Sequence, residues 1–144
     1  MPIEDIYTEL VGEYSRAPRH RRKLQDPTAA MRGVNPSCGD DITLEVREKD
    51  GRIEEAAFTG VGCAISQASA DMMADLIQGK SVQEAMELAE LFFAMIKGEV
   101  SDPETLDALE EAVALQGVAR MPARVKCAVL AWHTLEDVCG KKHG

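Results

Sequence analysis

Aromatic side chains make up only 4 % of this 144-residue chain, and there is a single tryptophan. That scarcity excludes a core built on large rings, so the interior has to be aliphatic, alanine and methionine. Long apolar runs are missing too. None approaches the roughly 18 residues that a membrane span needs. The opening MPIEDIYTEL is acidic and amphipathic, with no basic stretch leading into an apolar one, so it does not read as a secretory signal. No C-x-x-C pair occurs, which removes zinc-ribbon and thioredoxin-like spacings. Positive charge is in short supply as well. The net charge is −9, and phosphate binding needs clustered lysine and arginine, so nucleic acid is a poor partner. The expected compartment is the cytosol, where thiols stay reduced.

What is present suits one ordinary globular domain over residues 1–144, with 45 % hydrophobic and 28 % charged residues. Charge is unevenly spread. RAPRHRRK, from Arg16 to Lys23, holds five basic residues and one histidine. The stretch from Glu84 to Glu111 holds nine acids against Lys97 alone. Both read as solvated surface. The basic run, with Arg19, Arg21 and Arg22, also has the character of a docking site for an acidic partner.

Periodicity predicts the elements. Ile3, Ile6, Tyr7, Leu10, Val11 and Tyr14 form one helical stripe between Pro2 and Ser15, ended by Ala17-Pro18. A polar connector runs on to Gly33. Asp41–Glu48 alternates, with Ile42, Leu44 and Val46 on one face. Asp50-Gly51 is a two-residue hairpin signal. Arg52–Thr59 returns, apolar on both faces, and is expected to be the more central strand. A further short strand is open near residues 31–35. Gly60 and Gly62 frame a turn. Ile65, Ala68, Met72 and Leu76 then mark a helix that Gly79 closes. Ser81 with Glu84 forms a capping box for the next helix. Ser101-Asp102-Pro103 is expected to open an acidic helix running through about Leu115. Pro122 starts the last helix, which buries Val125, Ala128, Val129, Trp132, Leu135 and Val138. This order predicts an α+β fold, a small antiparallel sheet with helices packed on one face.

The cysteines are Cys38, Cys63, Cys127 and Cys139. Cys38 precedes a strand in NPSCGDD. Cys63 falls at a helix N-terminus, where the macrodipole favours thiolate. Cys127 lies in the second turn of the last helix between basic neighbours, Arg124 and Lys126. Spacing alone leaves these as isolated structural thiols or as metal ligands. The chemistry is more suggestive, because three thiols in thiolate-favouring contexts plus Asp40 make a tetrahedral donor set for Zn²⁺. Three thiolates and a carboxylate around Zn²⁺ carry a net charge of about −2, which Arg124 and Lys126 would offset. Cys139 matches no such pattern and reads as a core thiol. His133 reads as packing or surface, and His20 and His143 fit no ligand spacing.

NPSCGD, then GVGCAIS, then RVKC together resemble the U-type iron–sulfur cluster assembly family, IscU and SufU. The resemblance spans nearly the whole chain. It implies that Cys38, Asp40, Cys63 and Cys127 converge at one exposed end. The third motif departs from IscU. Lys126 stands where IscU-type members have histidine, MPARVK lacks their double proline, and the stretch from Cys63 to Cys127 is longer through an acidic insertion around residues 101–118. These departures resemble SufU. That branch implies bound Zn²⁺ and sulfur taken from a SufS-type cysteine desulfurase, with Cys38 as acceptor and Arg124 steadying Asp40 or a departing thiolate. A second reading is a scaffold on which a [2Fe–2S] cluster is built on the same residues and passed to apo-proteins. A third is an interaction domain with structural zinc. The carboxylate argues against the third, since structural zinc sites are usually closed and rich in cysteine.

Overall fold

Three strands form one antiparallel sheet in the order β1-β2-β3: β1 is Ala29–Asn35, β2 Asp40–Lys49 and β3 Arg52–Val61. This computed structural model describes residues 11–140, apart from positions 15 and 17. Val11–Tyr14 are helical. The rest of the expected N-terminal stripe, with Ile3, Ile6, Tyr7 and Leu10, lies outside the described residues, as do the last four positions with His143. The region near residues 31–35 does form a strand. Asp50 and Gly51 both take positive φ, 54° and 79°, the backbone that a tight hairpin needs. Ile42, Leu44 and Val46 are buried as their alternation predicts.

β2, not β3, is the central strand. The apolar character of β3 on both faces has another cause, because its outer edge is covered by chain from elsewhere. The Phe58 N–H donates to the His20 carbonyl at 2.9 Å. Ile53 exchanges backbone hydrogen bonds with Gly79 and Lys80, and the Ala56 N–H donates to the Gln78 side chain. Ile53, Ala56, Ala57 and Phe58 are all fully buried. An edge strand closed in this way offers no open ladder to a second chain.

The helices are α1 (Ala64–Ile77), α2 (Val82–Ile96), α3 (Pro103–Leu106) and α4 (Pro122–Gly140). α1 packs on β3 and α4, and α4 lies across β1. The capping box at Ser81 and Glu84 is present in both directions. No helix of the described residues is long and apolar enough to cross a membrane. The scarce aromatics sit at the centre: Trp132 stacks on Phe92 at 4.2 Å, and its indole N–H donates to the Ser69 hydroxyl at 2.9 Å. Cys139 is a buried thiol whose pKa burial pushes up to about 11, which suits a core residue.

The acidic helix expected through Leu115 is α-helical for only four residues. Asp107–Arg120 instead winds as 3-10 turns, broken at Glu110 where φ is 50°. The apolar residues explain the change. Leu106, Leu109, Ala112, Leu115 and Val118 recur every third residue, and all are buried. A repeat of three aligns with a 3-10 helix, at about 3.0 residues per turn, and drifts off the face of an α-helix.

The basic run is drawn onto the fold. Arg19 and His20 reach Asp75, Arg22 pairs with Glu55 at 2.8 Å, and Arg21 donates to the Gly60 carbonyl at 3.0 Å. The arginines expected to dock an acidic partner are thus each engaged within the chain.

Candidate metal centre

β1 and β2 are joined by a four-residue turn, PSCG, flanked by Asn35 and Asp40, which pair across the strands. Cys38 sits in that turn, half-buried, with its N–H on the Asn35 carbonyl at 3.3 Å. Asp40, the first residue of β2, is fully buried. Cys127 reaches the same spot from the second turn of α4 and is fully buried as well. Ligand atoms of Cys38, Asp40 and Cys127 all lie within 4.8 Å of one another. The Cys127 thiol donates to the Cys38 sulfur at 3.1 Å.

Cys63 stands beside this trio but outside its compact arrangement. It is the N-cap of α1, and its sulfur accepts the Ser66 N–H at 3.4 Å. Its own N–H donates to Asp40 Oδ1 at 2.8 Å. A thiolate at a helix N-terminus can keep such an N–H while using another lone pair for a metal. Gly62 allows this close approach, since a Cβ there would lie 2.8 Å from Asp40 Oδ1 and 2.4 Å from the Ser66 hydroxyl.

Asp40 is held by more groups than its motif suggests. Ser66 Oγ lies 3.1 Å from Oδ1, and the Asn35 amide donates to Oδ2 at 3.2 Å. Burial works against the carboxylate. Hydrogen bonds from Cys63, Cys127, Ser66 and Asn35 more than offset it and keep its pKa below the ordinary value. Asn35 also points its amide at the Cys127 sulfur, 3.7 Å away. Asn35 and Ser66 were not singled out in the sequence, although each lies within a quoted motif.

Cys127 departs from expectation. Its basic neighbours were expected to favour thiolate, yet its pKa is raised strongly, first by burial and then by contact with Cys38, Cys63 and Asp40. Lys126 is exposed. Arg124 is also exposed and faces the sulfurs: its pKa is raised first by a hydrogen bond with Cys127 and then by Cys63, Cys127 and Cys38. Three buried or half-buried donors thus meet at one point, where a cation could take the place of the Cys127 proton. Tetrahedral Zn²⁺ with sulfur at about 2.3 Å sets its thiolates about 3.8 Å apart; the Cys38 and Cys127 sulfurs, 3.1 Å apart, would part by about 0.7 Å to take such an ion, a small move for a residue in a turn. His133 lies elsewhere, stacked on Phe93 at 4.4 Å and beside Glu136.

Residues 6–128 match the NifU-like N-terminal domain family. The chain belongs to that family. It is 41 % identical over 94 % of its length to the iron–sulfur cluster assembly scaffold protein IscU of Streptococcus pyogenes, covering 83 % of that protein. It is 37 % identical over 99 % of its length to the zinc-dependent sulfurtransferase SufU of Bacillus subtilis, covering 95 % of it. Among solved structures, a candidate scaffold for the SUF system from Fervidobacterium islandicum superposes with a TM-score of 0.87 at 36 % identity, covering 94 % of this chain and 97 % of that one. Within the family, the chain stands close to the SufU branch.

Val34, Val61 and Met121 are the exposed large hydrophobic residues among those described. Val34 precedes Asn35, Val61 stands two residues before Cys63, and Met121 lines a cavity of about 370 Å³ together with Cys63 and Arg124.

Proposed function

We propose that this protein is a zinc-binding sulfur acceptor, loaded by a cysteine desulfurase of the SufS type. The observation that carries the reading is the meeting of Cys38, Asp40 and Cys127 at one end of the fold. Cys38, Asp40, Cys63 and Cys127 would hold the metal. Bound zinc supplies a charge that keeps buried thiols deprotonated near neutral pH. Without it, Cys127 holds its proton firmly.

Cys38 is the acceptor because it lies in a glycine-flanked turn, whereas Cys127 is locked in a helix. Its thiolate attacks the terminal sulfur of the desulfurase persulfide. The sulfur–sulfur bond breaks, the partner's cysteine leaves as thiolate, and Cys38 becomes the persulfide. Arg124 faces the charge that moves between sulfurs. The receiver of that sulfur is a downstream cluster scaffold or an apo-acceptor protein. The reading takes the cytosol as its compartment, in keeping with four free cysteines.

A sulfur donor must bring a reactive loop to Cys38 and exclude water there. The exposed Val61, two residues before Cys63, and Met121, which lines the cavity with Cys63, suit such a contact. Val61→Asp with Met121→Asp is expected to raise the desulfurase concentration for half-maximal stimulation about tenfold, with zinc content unchanged. Titration of stimulated turnover checks this, and an unchanged midpoint removes these residues from the interface.

Scaffolding a [2Fe–2S] cluster on the same donors is the second reading, favoured by the 41 % identity, over 94 % of this chain, to a protein named as an IscU scaffold. Metal content and absorbance of protein purified without chelators separate the two. Colourless protein with one zinc per chain, and faster desulfurase turnover on mixing, is the expected result. Brown protein with iron and acid-labile sulfide would establish the scaffold instead.

A further inference from the structure

The connector between the N-terminal helical residues and β1 crosses the fold beside the cluster. His20 is its pivot. Its carbonyl accepts the Phe58 N–H of β3 at 2.9 Å, and its N–H donates to Asp71 Oδ1 of α1 at 2.7 Å. One residue thus ties the strand that enters the cysteine loop to the helix that leaves it. Arg21 adds a third tie, from its guanidinium to the Gly60 carbonyl at 3.0 Å. Gly60 has φ of 122°, and a Cβ there would lie 2.1 Å from the Asp41 carbonyl oxygen. The residues that follow, Val61 and Gly62, lead straight to Cys63 and its bond to Asp40.

We propose that the strap of His20 and Arg21, anchored on Asp71, is a positioning element that sets the Gly60–Cys63 loop and so the third sulfur of the donor set. The proposal rests on the metal-site reading only for its second readout. Further side-chain ties hold the strap: His20 Nε2 lies 3.0 Å from Asp75 Oδ1 of α1, and Arg22 pairs with Glu55 of β3 at 2.8 Å. Four buried side-chain atoms among the described residues lack a hydrogen-bond partner, and all lie in this seam: His20 Nδ1, both amide atoms of Gln67, and Asp71 Oδ2. Gln67 and Asp71 fall one helical turn apart on α1, on the face that receives the strap. Native interiors leave few such atoms. Of the strap's ties, the Arg21 guanidinium is the one that reaches the Gly60–Cys63 loop itself. Arg21 touches no ligand atom, so it acts through the loop backbone alone.

The test is Arg21→Ala in the full-length chain. Two measurements are made: amide hydrogen exchange by NMR, and zinc release from the zinc-loaded protein to a chromophoric chelator. The Gly62 and Cys63 amides are expected to exchange about five- to tenfold faster, the loss of one hydrogen bond. Zinc release should rise by a similar factor. Arg21→Lys should restore both in part, because an ammonium can still donate to the Gly60 carbonyl. The Ala89 amide in α2 should keep its wild-type rate. Unchanged exchange at Gly62 and Cys63 overturns the proposal. So does a rise that Ala89 shares, which would mean general loosening. If wild-type protein takes up no zinc, the metal-site reading fails, and the exchange result still decides the strap.

Discussion

Cys38→Ala is expected to abolish sulfur acceptance while the chain keeps its fold. The argument begins with location. Cys38 is half-buried in the β1–β2 turn, and its sulfur contacts that of Cys127. Deleting it removes no core packing of the kind that Leu44 or Trp132 provides. A change of about 1 kcal/mol or less in unfolding free energy is therefore expected. Function should respond far more. Cys63 is fixed as the cap of α1 and Cys127 is enclosed in α4, so neither has the freedom of a turn residue to take over the task. Desulfurase turnover with and without the variant measures acceptance, and mass spectrometry of the trapped chain locates the persulfide. The expected result is basal turnover and no persulfide on the variant, with wild-type helicity. Stimulation at the wild-type level would reassign the acceptor to another thiol.

How much of this was legible in the sequence varied with the range of the interactions. The two-residue hairpin and the capping box were readable because turn and cap chemistry is local. The meeting of Cys38, Asp40 and Cys127 was readable only through three motifs whose joint resemblance stood in for distance information. Spacing along the chain had left it open. What the sequence hid was non-local. β3 read as central because both faces are apolar, yet the cover comes from the 19–22 connector and the 78–80 turn, which no strand pattern announces. The 3-10 segment carried its signal openly, in a repeat of three from Leu106 to Val118, but a 3.6-residue template passes over it. Asn35 and Ser66 could have been found by asking what holds a buried carboxylate, since such a group needs several donors. The protonation of Cys127 depended on depth, and adjacent positive charges said nothing about depth.

Asp40 should be the least replaceable polar residue of the centre. Its carboxylate, fully buried, takes the Cys63 N–H on Oδ1 and the Asn35 amide on Oδ2, and sits 3.1 Å from the Ser66 hydroxyl. Asp40→Ala strips those partners at once. Each donor left buried and unpaired costs about 1–3 kcal/mol, less where water can enter. A clear drop in the thermal midpoint of the metal-free protein follows. Metal affinity should fall by about ten- to a hundredfold or more, since even supporting partners of a metal site carry that much. Asp40→Asn is the sharper probe. It preserves shape and can still accept the Cys63 N–H on one side. The other side then presents an NH₂ group to the Asn35 NH₂, donor against donor. Flipping the amide only moves the conflict to the Cys63 N–H. The asparagine variant should therefore be destabilised despite its matching volume, and Asn35→Asp on that background should relieve part of the loss by supplying an acceptor. Thermal melts of the single and double variants check the pairing, and chelator competition checks the metal. If Asp40→Asn melts and binds zinc like the wild type, the carboxylate is neither a ligand nor the hub of this hydrogen-bond network, and the centre has to be redrawn around the cysteines alone.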